Sequence, residues 1–123
     1  KVRFGMLTDT GSRTPHIENQ LAECDGLLLE CNYDADMLAQ GPYPASLKAR
    51  VGGKLGHLSN EQAAEILESV VHPQLQEVVI GHISEKNNTA DLARGALSAA
   101  IDCEPTRLSV ASQDEVTYWR TLD

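Results

Sequence analysis

The chain has 123 residues, 41% hydrophobic and 23% charged, with 18 acidic against 10 basic side chains and a net charge of −8. That length and balance fit one folded domain with its own core and exclude a disordered chain. No apolar run approaches the roughly 20 residues that a membrane helix needs. Lys48, Arg50 and Lys54 are the densest basic group, so the basic stripe that neutralises nucleic-acid phosphates is missing from this chain taken alone. Cys24, Cys31 and Cys103 form no C-x-x-C and are odd in number, which points to reduced structural thiols and a cytoplasmic setting.

The opening Lys1-Val2-Arg3-Phe4-Gly5 has no apolar stretch with a cleavage site. It reads as a strand that begins abruptly, as in a chain cut from a longer one. Val2 to Leu7 is a strand ending in the turn Thr8-Asp9-Thr10-Gly11. Thr14 followed by Pro15 opens a helix to about Glu23. Gly26-Leu27-Leu28-Leu29-Glu30 has the pattern of a strand covered on both faces. Tyr33 to Arg50 holds two short helices broken at Gly41-Pro42-Tyr43-Pro44. Ser59 with Gln62 forms a capping box, and its helix turns Ala64, Leu67 and Val71 to one face before closing at Pro73. Glu77 to Gly81 is another covered strand. Thr89 to Ile101 is helical, with Leu92, Ala96, Ala99 and Ala100 on the expected inner side. Arg107–Ala111 and Thr117–Arg120 read as two closing strands. The alternation predicts an α/β domain with a mixed sheet and flanking helices.

In open α/β sheets, ligands bind beyond the carboxyl ends of the strands. Asp9 and His82 stand at two such ends, and carboxylate with imidazole suits zinc, manganese or iron. Asp9 reads equally as a turn residue, and His82 by itself as a hydrogen-bonded structural histidine. His57 precedes the helix capped by Ser59, where it could meet an anion or protonate a leaving oxygen; it reads equally as a residue that fills the loop. His16 and His72 read as surface residues, and Asn32-Tyr33-Asp34 as a turn or cap. A phosphate loop of the G-x-x-x-x-G-K-[ST] type and a G-x-S-x-G elbow are both missing from the sequence.

Taken in order, several short motifs form a series. They are Thr8-Asp9-Thr10-Gly11, Leu29-Glu30-Cys31-Asn32-Tyr33-Asp34 with Met37-Leu38, and Gly41-Pro42-Tyr43-Pro44 with Leu47-Lys48. Gly56-His57-Leu58-Ser59-Asn60 follows, then Gly81-His82-Ile83-Ser84 with Asn87-Asn88. The series resembles the carboxy-terminal half of metallo-β-lactamase-fold hydrolases of the YycJ/WalJ-like group, related to phosphoribosyl cyclic phosphodiesterases. The resemblance runs from the first strand to about Ile101.

The resemblance implies half of an αββα sandwich, residues 1–123 being the carboxy-terminal half of the hydrolase domain. It implies a cytoplasmic two-metal enzyme, with zinc or manganese, whose substrate is a phosphodiester and whose relatives have been assigned exonuclease activity on DNA. Asp9 then bridges the metals and His82 binds one of them. His57 is the catalytic candidate, and Asn60, Asn87 and Asn88 lie toward the substrate. Two departures accompany it. Tyr33 stands where the family commonly has histidine, and the family's His-x-His-x-Asp-His cluster has no counterpart among His16, His57, His72 and His82. The chain alone is therefore expected to bind no metal firmly and to be inactive. With one sheet face stripped of its cover, a homodimer or other association through that face is expected. The alternative is a non-catalytic α/β interaction domain in which Asp9 and His82 are structural.

Overall fold

A computed structural model describes residues 1–101 and 107–123, so Cys103 lies outside the described residues. β1 (Phe4–Leu7) leads to α1 (Pro15–Leu21), which Thr14 caps by accepting the Ile17 N–H. β2 (Gly26–Glu30) is followed by α2 (Ala35–Gln40), α3 (Ala45–Val51) and α4 (Asn60–Val70). The expected capping box forms at α4: Gln62 N–H donates to Ser59 Oγ, and Ser59 N–H to Gln62 Oε1. β3 (Glu77–Gly81), α5 (Ala90–Ile101) and β4 (Arg107–Val110) complete the order.

The strands pair as β1-β2-β3-β4, and each pairing is parallel. The α/β class and the flanking helices hold; the mixed sheet is corrected to a parallel one. The second expected closing strand, Thr117–Arg120, takes no strand conformation. The residues after it reach the start of the sheet, where Asp123 N–H donates to Gln76 Oε1 at 2.9 Å and Arg107 donates to Thr121 O at 3.4 Å.

Sequential strand order has a consequence. Right-handed crossovers between strands laid down in one direction place every connecting helix on one face. α1 packs on α4, α4 on α5, and α5 on β4. Beneath them Leu27, Leu29, Val78 and Ile80 are all 0% exposed, joined to Ile66, Leu67, Ala93 and Leu97. The other face shows Phe4 and Met6, 50% and 63% exposed, with Leu28 and Val79 half-buried beside Met6 in the register. β2 and β3 are thus fully covered on one face, not on two.

The inner face of α5 is Ala93, Leu97 and Ile101, while Leu92 is 44% exposed. Of the expected inner alanines, Ala96 and Ala100 pack at the margin of the core and Ala99 is exposed; choosing the large Leu92 as guide shifts the helical phase by one residue, or about 100°. α4 buries Ala63, Ile66, Leu67 and Val70. Cys24 and Cys31 are free and buried, as structural thiols should be. Burial, with a smaller push from Glu30, raises the Cys31 thiol to about 12, so it stays protonated and unreactive near neutral pH.

The loop bearing Asp9 is seated by Gly11. A Cβ there would stand 1.9 Å from Gly53 O and 2.9 Å from Gly56 N, while Gly11 N–H donates to Lys54 O. Gly11→Ala should therefore lower stability by about 1–3 kcal/mol, the usual range for overpacking. Urea unfolding measures it; an unchanged midpoint would show that the two loops part freely.

Candidate metal centre

β1, β2 and β3 end side by side, and each delivers one ionisable side chain to the same point. Glu30 is the last residue of β2 and is 0% exposed. A buried carboxylate is tolerable only when donors replace its water. Here they do. Leu58 N–H donates to Oε2 at 3.0 Å and Asp9 N–H to Oε1 at 3.2 Å. The Nδ1 atoms of His57, at 3.2 Å, and of His82 both meet Oε1.

An ionised carboxylate only accepts, so each ring nitrogen that bonds it carries the proton. With Glu30 ionised, both imidazoles would be held as the Nδ1–H form, which would leave each Nε2 to bind a cation or handle a proton. Their rings meet edge to face at 5.2 Å. Asp9 Oδ1 lies 3.6 Å from the Nδ1 of each. One ligand atom from each of Asp9, Glu30, His57 and His82 falls within 4.8 Å of the others.

The backbone is shaped for this convergence. Among the described residues, Asp9 and His82 are the positive-φ non-glycine residues, both at 56°, an arrangement that costs about 1–3 kcal/mol at each residue and gathers at functional sites. Asn32 clamps the second kink: its Nδ2 donates to His82 O, and its own carbonyl accepts the Ser84 N–H. Gln62 reaches from the α4 capping box to donate to Gly11 O at 3.2 Å, tying the Asp9 loop to the His57 loop.

Exodeoxyribonuclease WalJ of Streptococcus pneumoniae serotype 2 is 38% identical over 90 residues, covering 73% of this chain and 34% of that protein. Exodeoxyribonuclease YycJ of Bacillus anthracis is 30% identical over 100 residues, covering 81% of this chain and 38% of that protein. The crystal structure of the metallo-beta-lactamase fold protein YhfI from Bacillus subtilis superposes with TM-score 0.56 and 19% identity, over 86% of this chain and 35% of its own. This is a YycJ/WalJ-like chain with a metallo-β-lactamase fold. It spans about a third of the length of the relatives it matches. No family model matches it.

In this YycJ-like chain the expected Asp9, His57 and His82 come together. Glu30, read only as strand, joins them; an acid inside Leu27-Leu28-Leu29-Glu30-Cys31 at a strand's carboxyl end was the available signal. The asparagines fall elsewhere than expected. Asn60 and Asn88 are 2% and 4% exposed, and each Nδ2 donates to the other's Oδ1 at 2.8–2.9 Å. Their carboxamides bond each other and brace α4 against the approach to α5, and Asn88 also lines a second cleft beside His82. Asn87 alone borders the cleft beside the histidines. Tyr33 is buried outside the cluster, its phenol pushed up chiefly by burial. Asp34 caps α2 by accepting the Met37 N–H. His16 and His72 are likewise outside the cluster, and among the described residues no helix is long and apolar enough to cross a membrane.

Glu30→Gln keeps the shape of the hub but turns an amide N–H₂ toward donors. It should cost about 1.5–3 kcal/mol, the range for hydrogen bonds to charged groups, and disturb both histidine tautomers. Ring ¹⁵N spectra report the tautomers; unchanged spectra with unchanged stability would remove Glu30 from its place as anchor.

Proposed function

We propose that this chain is the carboxy-terminal half, residues 1–123, of the domain of a metal-dependent hydrolase that cleaves phosphodiester bonds, DNA ends among them. The observation that carries this is the convergence of Asp9, His57 and His82 on buried Glu30 beyond the carboxyl ends of three parallel strands. The donor set fits a divalent cation: a carboxylate and imidazole nitrogens are ligands of zinc and manganese. Asp9, 69% exposed at its side chain, would hold two ions and His82 Nε2 one of them, with the remaining ligands coming from sequence beyond this chain. When bound, the cations supply positive charge against the negative charge that develops on the phosphoryl oxygens.

The chain's own residues do the rest. Glu30 holds both imidazoles by Nδ1–H and so fixes where each Nε2 points. His57 stands at the mouth of the site, half-buried, its backbone N–H donating to Val51 O at 2.9 Å. Protonated, its Nε2–H can be given to the leaving oxygen as the P–O bond breaks. Asn87 borders the substrate cleft, and Asn60 with Asn88 positions the α4 and α5 ends behind it.

Alone, this chain should bind manganese weakly and reversibly, because the hub already occupies Glu30 and few donors remain free. It should not hydrolyse bis(p-nitrophenyl) phosphate. In the longer protein, Asp9→Ala should lose metal and activity together. His57→Ala should keep metal while the rate falls roughly 10²-fold or more. Tight, chelator-resistant metal in the 123-residue chain, or an unchanged rate in His57→Ala, would overturn these assignments.

The second reading, a non-catalytic interaction domain, has one observation in its favour: the open sheet face around Phe4, Met6, Leu28 and Val79. Apolar surface of this kind is normally covered, and the chain is expected to associate through it, as a homodimer when nothing else is present. Sedimentation at micromolar concentration tests this: a well-behaved monomer would show the face to be stable in water.

A further inference from the structure

Gln62 uses both ends of its carboxamide on backbone that belongs to the site. Its Oε1 accepts the Ser59 N–H at 2.9 Å, and its Nε2 donates to Gly11 O at 3.2 Å. Ser59 lies two residues after His57, and Gly11 two residues after Asp9. One side chain therefore links the two stretches of backbone that present His57 and Asp9. Gly11 is buried, where a carbonyl needs a donor. The residue type fits this double use. A capping box takes glutamate or glutamine at that position, and the positive end of the helix favours glutamate. A glutamate can accept the Ser59 N–H but has no N–H for Gly11 O. The amide, against the preference of the helix itself, is what the second bond requires.

We infer that Gln62 is a positioning residue that fixes the Asp9 carboxylate relative to His57. This rests on the reading of Asp9 as a metal ligand given above. The Asp9 turn is also held by Asp9 N–H on Glu30 Oε1, and by Gly11 N–H and Ser12 Oγ on Lys54 O. Lys54, however, lies in a loop between helices, whereas Gln62 stands on a helix whose Ala63, Ile66 and Leu67 belong to the core. The turn is under strain at Asp9, with φ at 56°, so a turn released from the helix relaxes away from that conformation. Its Oδ1, 3.6 Å from His57 Nδ1, then no longer keeps a fixed place. A metal ligand without a fixed place binds more weakly, because affinity depends on prepared geometry.

Three variants of the chain separate this role from simpler ones. Gln62→Glu keeps the helix cap and adds a charge, Gln62→Ala loses the cap and adds none, and Ser59→Ala loses the Oγ half of the cap alone. Amide hydrogen exchange and ¹⁵N relaxation at Asp9, Gly11 and Ser12 read the turn without metal, and urea unfolding reads the fold. Both Gln62 variants should speed exchange at Asp9 roughly 2- to 10-fold, the equivalent of one hydrogen bond. Ser59→Ala should lower the urea midpoint and leave the turn as in the parent. Manganese affinity should fall by a similar roughly 2- to 10-fold in Gln62→Ala and hold in Ser59→Ala. A turn as ordered in Gln62→Ala as in the parent would overturn the inference. So would loosening in Gln62→Glu alone, which is charge repulsion from Asp9 and Glu30, or equal loosening in Ser59→Ala, which is fraying of the helix. Manganese binding in Asp9→Ala tests the metal reading by itself, so the two fail in different variants.

Discussion

The carboxylate of Glu30 is the constraint around which the site is arranged. A charge with 0% exposure cannot persist inside a protein without donors, since the desolvation penalty is several kcal/mol even after relaxation. Its donors come from the Asp9 turn, the His57–Leu58 segment and His82. None of these lies within twenty residues of Glu30 along the chain. Satisfying one buried charge therefore brings together every group with metal-binding or proton-transfer chemistry near the sheet's carboxyl edge. Removing the charge would release all of them at once, whereas removing any single donor leaves the others in place.

The sheet makes that arrangement possible. Parallel strands in sequential order finish at one edge, so consecutive βα turns are neighbours there. α1, α4 and α5 pack together on one side, over the core of Leu27, Leu29, Val78 and Ile80. The bare side, with Phe4 and Met6, is what a two-sheet sandwich would cover. Half of such a sandwich can thus hold its helix layer and its site edge in shape while still presenting an apolar face.

Much of this was legible in the residues. Local signals were enough for the Thr14–Pro15 helix start, the Ser59–Gln62 box and the three strands ending near the site, because each depends on neighbours in sequence. Asp9, His57 and His82 were legible through their place at strand ends and a helix start. Other features depend on distant partners and were not. Glu30 looks like a strand residue until four donors arrive from three distant segments. Asn60 and Asn88 look like substrate groups until the fold pairs their carboxamides. Thr117–Arg120 has strand-like residues but takes no strand conformation, and the residues after it, Thr121 and Asp123, bond Arg107 and Gln76 instead. The α5 phase failed for a different reason: alanines mark both faces of that helix, so composition does not reveal which one is inside.

The strain at Asp9 and His82 fits the same account. Two left-handed non-glycine residues are a steady cost, about 1–3 kcal/mol each, and a chain free to relax would lose them. Both are clamped through β2. Asp9 is fixed by its own N–H on Glu30. His82 is fixed by Asn32 Nδ2 on its carbonyl, with Cys31 N–H bonded to Gly81 O just before it. The central strand thus supplies the carboxylate and also the restraints that keep its two neighbours bent toward it. A side chain aimed by a strained backbone on a rigid strand has few alternatives to sample. That is the property a cation site or a proton-transfer site needs, since misplacement by an ångström is enough to impair either.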